Sequence, residues 1–244
     1  MTIDVRRDGS VAHVFLDRPQ KANALDSGVL QDLRFTLEAL LGDETLRVVV
    51  LGGHGKTFCG GADVDEMSKL DASNAGAFVE KIHHACEAIR RLPVPVVARL
   101  HGAVIGAGLE IAAACDLRVA AEGTKFAMPE VRLGIPSVVE AALLPRLMGA
   151  GRAAWLVLTG EAIDARRAYE WGLVEEVVAD IDRGVEQLLQ SLLAAEPQAL
   201  RAQKALLHLW EEAPLSACIA ASIERFSQSY AGGTPGTRMK KLRP

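Results

Sequence analysis

The feature that most constrains the fold is an alternation of short strand patterns with helix patterns through the first half of the chain. Arg47–Leu51 and Val94–Leu100 are dominated by valine and leucine, as is typical of strands buried on both faces. Between these runs, and again after the second, glycines precede segments whose apolar residues recur at helical spacing. Strands that alternate with helices favour βαβ units, so the sequence predicts an α/β fold.

The boundaries of the predicted elements follow from apolar periodicity, turn residues and prolines. A hairpin is predicted around the Asp8-Gly9-Ser10 turn, and Pro19 predicts a loop over 18–23 because it cannot donate to a strand ladder. Predicted strands span 3–5, 11–16, 47–51, 94–100, 117–120, 125–127 and 174–179. Predicted helices span 27–41, 64–67, 75–92, 107–115, 138–147, 152–158, 164–171, 182–195, 197–211 and 215–230.

The second half of the chain is predicted to be mostly helical, which separates it from the alternating first half. We therefore expect a core over residues 1–180 and a C-terminal helical region over residues 181–244. The glycine-rich stretch Ala231–Thr237 predicts a flexible end, and a basic tail that contains Lys241 and Arg243 follows it.

Composition narrows the class of protein. The 244 residues are 50% hydrophobic and carry a formal net charge of −4, which argues against a nucleic-acid binder with a basic stripe. The four cysteines lie far apart and form no Cys-x-x-Cys pair, so we expect free thiols in a reducing compartment. The N-terminus has no apolar signal core, and no apolar run is long enough to span a membrane. The sequence thus predicts a soluble cytoplasmic protein without nucleic-acid or membrane partners.

Two glycine-rich junctions, Gly60–Asp63 and Gly102–Glu110, each lie between a predicted strand and a predicted helix. The second has the spacing Gly-x-x-x-Gly-x-Gly, which fits neither a dinucleotide fingerprint nor a phosphate-binding P-loop. Glycine lets a ligand approach the main chain, and N–H groups at a helix start are unpaired and carry partial positive charge. The junctions are therefore either tight turns with helix caps or a pair of donors for a developing oxyanion.

Two glutamates lie among apolar residues. Glu110 is in the first turn of an otherwise apolar helix, and Glu130 follows Ala127-Met128-Pro129. Each is either a structural residue or an acid that faces a site, and beside an oxyanion hole the pair suits general acid–base catalysis on water or a carbon acid. The chain contains no Gly-x-Ser-x-Gly and no His-Glu-x-x-His motif, and His83 and His84 cannot face one metal ion from the same helix. We predict no metal site and expect both histidines on the surface.

A set of short motifs runs in a fixed order along nearly the whole chain. The most specific are Phe58–Val64, followed by Glu66-Met67, and His101–Asp116. The others are Arg18–Leu25, Phe126–Glu130, Leu133–Pro136, Leu158–Glu161 and Ala168–Val174. In this combination the sequence resembles the crotonase (enoyl-CoA hydratase/isomerase) superfamily. The resemblance implies a crotonase-like spiral of ββα units with a C-terminal helical region that builds homotrimers, often paired into hexamers.

The same resemblance implies which residues form the site. The backbone N–H groups of Ala62 and Ala107 would form an oxyanion hole, and Glu110 and Glu130 would hold a water molecule between them. The implied substrate is an acyl-CoA thioester, so coenzyme A is part of the substrate and no separate cofactor is expected. The implied substrate-binding residues are Lys21, Ala22 and Ala24 at the CoA nucleotide, and Asp63, Val64 and Asp65 along the pantetheine path to the thioester.

The implied reaction is syn addition of water to a 2-trans-enoyl-CoA, which gives a 3-hydroxyacyl-CoA. Glu130 would deliver a proton to C2, and Glu110 would position and activate the water that attacks C3. Two alternatives stay open: an enoyl-CoA double-bond isomerase that uses Glu130, and a non-catalytic relative that binds a CoA thioester or RNA. The segment Ser137–Pro145 lacks the glycines usual in hydratases of the family, and Glu140 within it is expected to be a solvated helix residue.

Overall fold

The chain's structure, a computed structural model, describes residues 2–231 and 233–240. Strands β1 to β9 span Ile3–Asp8, Val11–Leu16, Val48–Gly53, Val96–Leu100, Ala103–Ile105, Leu117–Ala121, Lys125–Ala127, Ile163–Asp164 and Glu176–Val178. Helices α1 to α11 span Ser27–Ala39, Val64–Met67, Ala75–Arg91, Ala107–Ala114, Leu144–Met148, Ala150–Thr159, Ala165–Trp171, Ile181–Ala194, Pro197–Glu212, Leu215–Ser229 and Thr234–Lys240. In the same described residues, 3₁₀ helices occupy Pro19–Lys21, Glu130–Leu133 and Val139–Leu143.

The chain divides into two compact units, one that runs to Leu189 and one that begins at Gln190. The division falls inside α8, whereas the sequence places its boundary between residues 180 and 181, just before that helix begins. The first unit contains all the strands in the described part of the chain, and the second contains α9, α10 and α11.

Six strands of the described chain form one sheet in the order β1-β2-β3-β4-β6-β9. The β1–β2 hairpin is antiparallel, with Ile3 opposite Leu16, and each later pair of neighbours is parallel. All six residues of β3 are buried, which accounts for its continuous apolar sequence. The predicted alternation of strands and helices, and with it the α/β fold, is confirmed.

Helix α1 shows how local sequence sets these elements. The Oδ1 atom of Asp26 accepts a hydrogen bond from the N–H of Val29 at 2.9 Å, which caps the first turn. Leu30, Leu33 and Leu37 recur at helical spacing and are fully buried. The helix ends at Ala39, two residues before the predicted end at residue 41.

A second, smaller sheet has the order β5-β7-β8. Strand β5 pairs in parallel with β7, and an isolated parallel bridge joins Val104 of β5 to Cys59. The sequence predicts neither β5 nor β8. Strand β5 is only three residues long and lies within a glycine-rich junction, and β8 is only two residues long. The bridge between Cys59 and Val104 places the two glycine-rich junctions next to each other.

The helix predicted over 138–147 is wrong as a single element. The structure has a 3₁₀ helix at Val139–Leu143 and then the separate helix α5. Pro145 lies in the first turn of α5, where its missing N–H is tolerated, but it cannot donate the bond that a continuous helix would need. Val139 also has a positive φ of 40°, which a regular helix does not allow.

Two further predictions concern the loop over 18–23 and the end of the chain. The loop contains a turn of 3₁₀ helix at Pro19–Lys21, because proline is favoured at the start of a helix. The tail predicted to be flexible contains α11, with Pro235 in its first turn. Lys241 and Arg243 lie outside the described residues. No helix among the described residues is both long and apolar enough to cross a membrane.

Candidate active site

The two glycine-rich junctions meet through backbone contacts around Cys59. The N–H of Ile105 donates to the carbonyl oxygen of Cys59 at 3.1 Å, beside the Cys59–Val104 bridge. Gly108 packs so closely against Cys59 that an added Cβ would lie 2.7 Å from the Cys59 Cβ. The absence of a side chain at Gly108 therefore lets the start of α4 approach the Gly60–Asp63 junction.

Two backbone donors at these junctions have no partner among the described residues. The N–H groups of Ala62 and Ala107 donate no hydrogen bond within the described chain, although Ala107 is buried. Ala107 is the first residue of α4, where the N–H groups have no partner inside the helix. Gly61 and Gly106, with φ of 106° and 52°, make the turns that precede these two donors. Each predicted oxyanion-hole residue thus has a backbone N–H that is not used in a hydrogen bond among the described residues, as the role requires.

Glu110 is buried on α4 and accepts one backbone hydrogen bond. Its Oε1 atom accepts a hydrogen bond from the backbone N–H of Ala141 at 3.2 Å. Burial raises the pKa of Glu110 from 4.5 to about 8, and the nearby carboxyl of Glu130 adds to this rise. The Ala141 N–H lowers the pKa, and Glu140 raises it further. A carboxyl with this pKa holds its proton at neutral pH.

Glu130 lies at the start of the 3₁₀ helix Glu130–Leu133 and faces Gly106. A Cβ added to Gly106 would lie 2.4 Å from the Oε1 atom of Glu130, so this carboxyl lies directly against the turn that precedes Ala107. The Oε2 atom accepts a hydrogen bond from the hydroxyl of Ser137 at 2.9 Å. The structure thus brings both predicted glutamates to the start of α4, on the side of the predicted oxyanion hole.

A cleft of about 330 Å³ lies beside the Gly60–Asp63 junction. Its walls contain all the predicted substrate-binding residues and one predicted oxyanion-hole residue: Lys21, Ala22, Ala24, Ala62, Asp63, Val64 and Asp65, together with Gly60.

Polar contacts fix the shape of this cleft. Asp63 is buried and caps α2, because its Oδ1 atom accepts from the N–H groups of Asp65 and Glu66 at 3.0 and 3.3 Å. The Nζ atom of Lys21 lies 2.7 Å from Asp65 and 3.6 Å from Asp63. Hydrogen bonding to Asp65 raises the pKa of Lys21 and lowers that of Asp65, so the pair stays charged over a wide pH range. Val64 is exposed at the mouth.

Asn23 supports the cleft, a role that the sequence does not reveal. Its side chain is buried, accepts from the N–H of Arg18 at 2.9 Å, and donates to the carbonyl oxygens of His54 and Thr57 at 2.9 and 2.7 Å. Ala22 and Asn23 both have positive φ, which asparagine tolerates better than most residues. The only signal in the sequence was an asparagine within a loop.

Glu140 is the clearest error of the sequence-based interpretation. It is buried rather than solvated, and its Oε1 atom lies 2.7 Å from Nδ1 of His83 on α3. His83 is exposed, as expected, but it takes part in this buried contact. The sequence around Glu140 does not indicate this contact, because its partner His83 lies 57 residues away in the chain. No group of histidine, cysteine and acidic residues in the described chain could hold a metal ion.

The site therefore has a recognisable combination of groups. Paired carboxyls lie near two backbone N–H groups that have no hydrogen-bond partner among the described residues, one of them at the start of α4, and a cleft adjoins the other. The sequence profile of the family described as Enoyl-CoA hydratase/isomerase matches residues 6–232. The chain belongs to this family, which confirms the resemblance and the crotonase fold.

Individual relatives agree with this assignment. A Bacillus subtilis relative named as an enoyl-CoA hydratase/isomerase is 36% identical over 223 residues, 90% of this chain and 86% of the relative. The crystal structure of an enoyl-CoA hydratase from Bacillus anthracis has a TM-score of 0.93 and 29% identity, and covers 100% of this chain and 97% of the other. A Thermobifida fusca protein, named after the enoyl-CoA hydratases and solved in complex with CoA, has a TM-score of 0.86 and 29% identity, with coverage of 96% and 95%.

Proposed function

We propose that this protein is an enoyl-CoA hydratase that adds water syn across a 2-trans-enoyl-CoA to give a 3-hydroxyacyl-CoA. The observation that carries the proposal is the pairing of Glu110 and Glu130. The two carboxyls interact electrostatically at the start of α4, next to the unpartnered N–H of Ala107. Addition of water needs one group that gives a proton and one that takes a proton, and this pair supplies both.

The raised pKa of Glu110 sets the starting protonation state. At neutral pH the buried Glu110 holds the proton of the pair, because ionisation in apolar surroundings is unfavourable. A water molecule that bridges the two carboxyls accepts this proton and passes one of its own to Glu130. The pair then consists of an ionised Glu110 and a protonated Glu130. Since the carboxyls are coupled, the proton belongs to the pair rather than to either residue.

The addition step returns the pair to its starting state. The oxygen of the bridging water attacks C3 of the enoyl thioester while Glu110 takes a proton from that water. Glu130 delivers its proton to C2, which completes the new C–H bond. Glu110 ends protonated and Glu130 ionised, so the cycle consumes one water and releases no net proton.

The backbone donors stabilise the charge that develops during this step. Attack at C3 moves electron density onto the thioester oxygen, which takes on enolate character. Hydrogen bonds from the N–H groups of Ala62 and Ala107 to this oxygen stabilise the enolate more than the ground state. Loss of one such donor raises a barrier by about 3 kcal/mol in comparable oxyanion holes.

The cleft next to the donors accommodates the rest of the substrate in this proposal. Lys21, Ala22 and Ala24 contact the CoA nucleotide, and Asp63, Val64 and Asp65 line the pantetheine path. The relative solved with CoA supports a CoA thioester as the ligand. Coenzyme A enters and leaves with the substrate, and no separate cofactor takes part. We assign the protein to the cytoplasm.

We also propose that the protein works as a homotrimer or as a hexamer of paired trimers. The second unit leaves several large apolar side chains of α10 exposed, among them Leu215, Ile219, Ile223 and Phe226. Together with Trp210 of α9 they line an open groove of about 760 Å³. Apolar surface of this extent is typical of an interface between protein chains, and a second copy of this chain is the occupant that the resemblance implies.

The proposed reaction is tested by following the loss of absorbance of the conjugated enoyl thioester of crotonyl-CoA. We expect turnover by the wild type and a loss of at least about a thousandfold in both Glu110→Gln and Glu130→Gln. Glu44→Gln, a change at an exposed glutamate far from the site in sequence, is the matched control and should keep wild-type turnover.

Two other outcomes would identify the alternatives. If Glu110→Gln keeps double-bond isomerisation while Glu130→Gln loses it, the protein is an isomerase with one proton-shuttling carboxyl. If the wild type binds CoA thioesters without turnover of either kind, it is a non-catalytic relative. Binding of RNA with a strong dependence on salt would point to the RNA-binding alternative.

A further inference from the structure

The segment Ser137–Ala141 contacts both glutamates of the site. The hydroxyl of Ser137 donates to the Oε2 atom of Glu130 at 2.9 Å. Four residues later the backbone N–H of Ala141 donates to the Oε1 atom of Glu110 at 3.2 Å. The relative position of the two carboxyls therefore depends on the conformation of this one short segment.

That conformation is strained at its centre. Val139 has a φ of 40°, which is a rare and unfavourable value for a β-branched residue. Strain of this kind is unfavourable and persists only where surrounding contacts fix the backbone. Such contacts should therefore be found next to Val139.

The adjacent residue, Glu140, provides them. Its side chain is buried, and its Oε1 atom lies 2.7 Å from Nδ1 of His83, which projects from α3. Its Oε2 atom is buried without a hydrogen-bond partner among the described residues. A buried carboxyl with an unsatisfied oxygen destabilises a fold, so a purely structural tie between α3 and this segment would be better made by other residues.

We propose that His83, Glu140 and Ser137 are positioning residues that hold Glu110 and Glu130 in the relative position that the reaction needs. The His83–Glu140 contact anchors the strained segment to α3. Ser137 and the N–H of Ala141 then orient the two carboxyls from either side of the anchor. This inference rests on the proposed function, because it assigns these residues to the same pair of glutamates.

Glu140 also acts on Glu110 through its charge. The groups that face Glu140 are His83 and Cys86 on α3 and Glu110 on α4, and Glu130 faces Glu110 in turn. Burial raises the pKa of the Cys86 thiol well above its usual value, so this thiol stays neutral. The carboxyl of Glu140 raises the pKa of Glu110, although less than burial and Glu130 do. Loss of the charge at Glu140 should therefore lower the pH at which Glu110 ionises.

The first test is steady-state kinetics with crotonyl-CoA. We expect Ser137→Ala, His83→Ala and Glu140→Gln to lower kcat by about tenfold or more while KM stays within about twofold, because misplacement affects the reacting groups and not CoA binding. Ser137→Thr keeps the hydroxyl and should restore most of kcat. His84→Gln changes the neighbouring histidine on α3 and should leave kcat unchanged. Wild-type kcat in all three positioning variants would overturn the proposal.

The second test does not need turnover. The protonated carboxyl of Glu110 is followed by infrared spectroscopy through its C=O stretch, assigned by its loss in Glu110→Gln. Glu140→Gln should move the titration of this band to lower pH, whereas a Glu140 that does not act on Glu110 would leave it in place. An unshifted titration would overturn the proposal. If Glu140→Gln shifts this titration but the wild type does not hydrate crotonyl-CoA, the proposed reaction is disproved and the positioning of Glu110 is left intact.

Discussion

The burial of Glu110 in the proposed active site lowers the stability of the folded chain. Its pKa is about 8 in the folded chain against an ordinary value of 4.5, because burial and neighbouring carboxyls oppose ionisation. Below pH 4.5 the carboxyl is protonated in both the folded and the unfolded state and contributes no pH dependence. Between pH 4.5 and about pH 8 the unfolded state releases the proton of Glu110 and the folded state keeps it. The free energy of unfolding therefore falls as pH rises through this range.

This effect predicts a pH-dependent gain in Glu110→Gln. Relative to wild type, the variant should become more stable as pH rises from 4.5 to 8, by up to about 1.4 kcal/mol per pH unit, and the difference should level off above pH 8. Urea unfolding of both proteins across this range measures it. A stability difference that does not change with pH would show that Glu110 ionises normally in the folded chain.

Gly106 is the second residue at which a substitution tests the proposed site. Gly106→Ala would place a Cβ 2.4 Å from Oε1 of Glu130 and would hold alanine at a φ of 52°. We expect kcat/KM for crotonyl-CoA to fall by at least about a hundredfold, because Glu130 is displaced and the turn before the Ala107 N–H is disturbed. Gly42→Ala, where an added Cβ meets nothing within 4 Å, is the control. Wild-type kcat/KM in Gly106→Ala would contradict the assigned position of Glu130.

At the scale of elements, the loop that follows β2 shapes the cleft through one buried amide. Asn23 links the N–H of Arg18 to the carbonyl oxygens of His54 and Thr57, so three backbone groups depend on it. Asn23→Ala should lower the free energy of unfolding by about 3 kcal/mol, because it leaves these groups unpartnered and keeps a positive φ at alanine. Asn74→Ala, at an exposed asparagine, should cost less than about 1 kcal/mol. Equal losses in urea unfolding would contradict this role.

The sequence predicts elements well where local pattern decides them. Helix α1, with its cap at Asp26 and its buried leucines, needs only contacts between residues close in the chain. The 3₁₀ helix at Val139–Leu143 could not be predicted, because its strained backbone is held by His83 from a distant helix. The same limit explains why the sequence predicts a solvated Glu140. The apolar neighbours of Glu110 and Glu130 indicate both as candidates, but their shared location comes from the fold.

At the scale of the whole molecule, the exposed apolar residues of the second unit predict assembly. Light scattering should give the wild type a mass of three or six times the 26.0 kDa chain. Ile223→Glu places a charge in the exposed apolar groove and should shift the mass towards that of one chain, whereas Glu224→Gln, on the same helix, should not. A wild type with the mass of one chain would contradict the proposed trimer.

Whether Glu110 and Glu130 add water across an enoyl thioester is tested by the product formed from crotonyl-CoA in D₂O. NMR of the product should show 3-hydroxybutyryl-CoA with one deuterium at C2, placed syn to the new hydroxyl. This result requires one carboxyl to deliver a solvent-derived proton to C2 while the other directs water to C3 from the same side. Deuterium incorporated without a hydroxyl at C3, or a double bond that has moved, would contradict the hydratase.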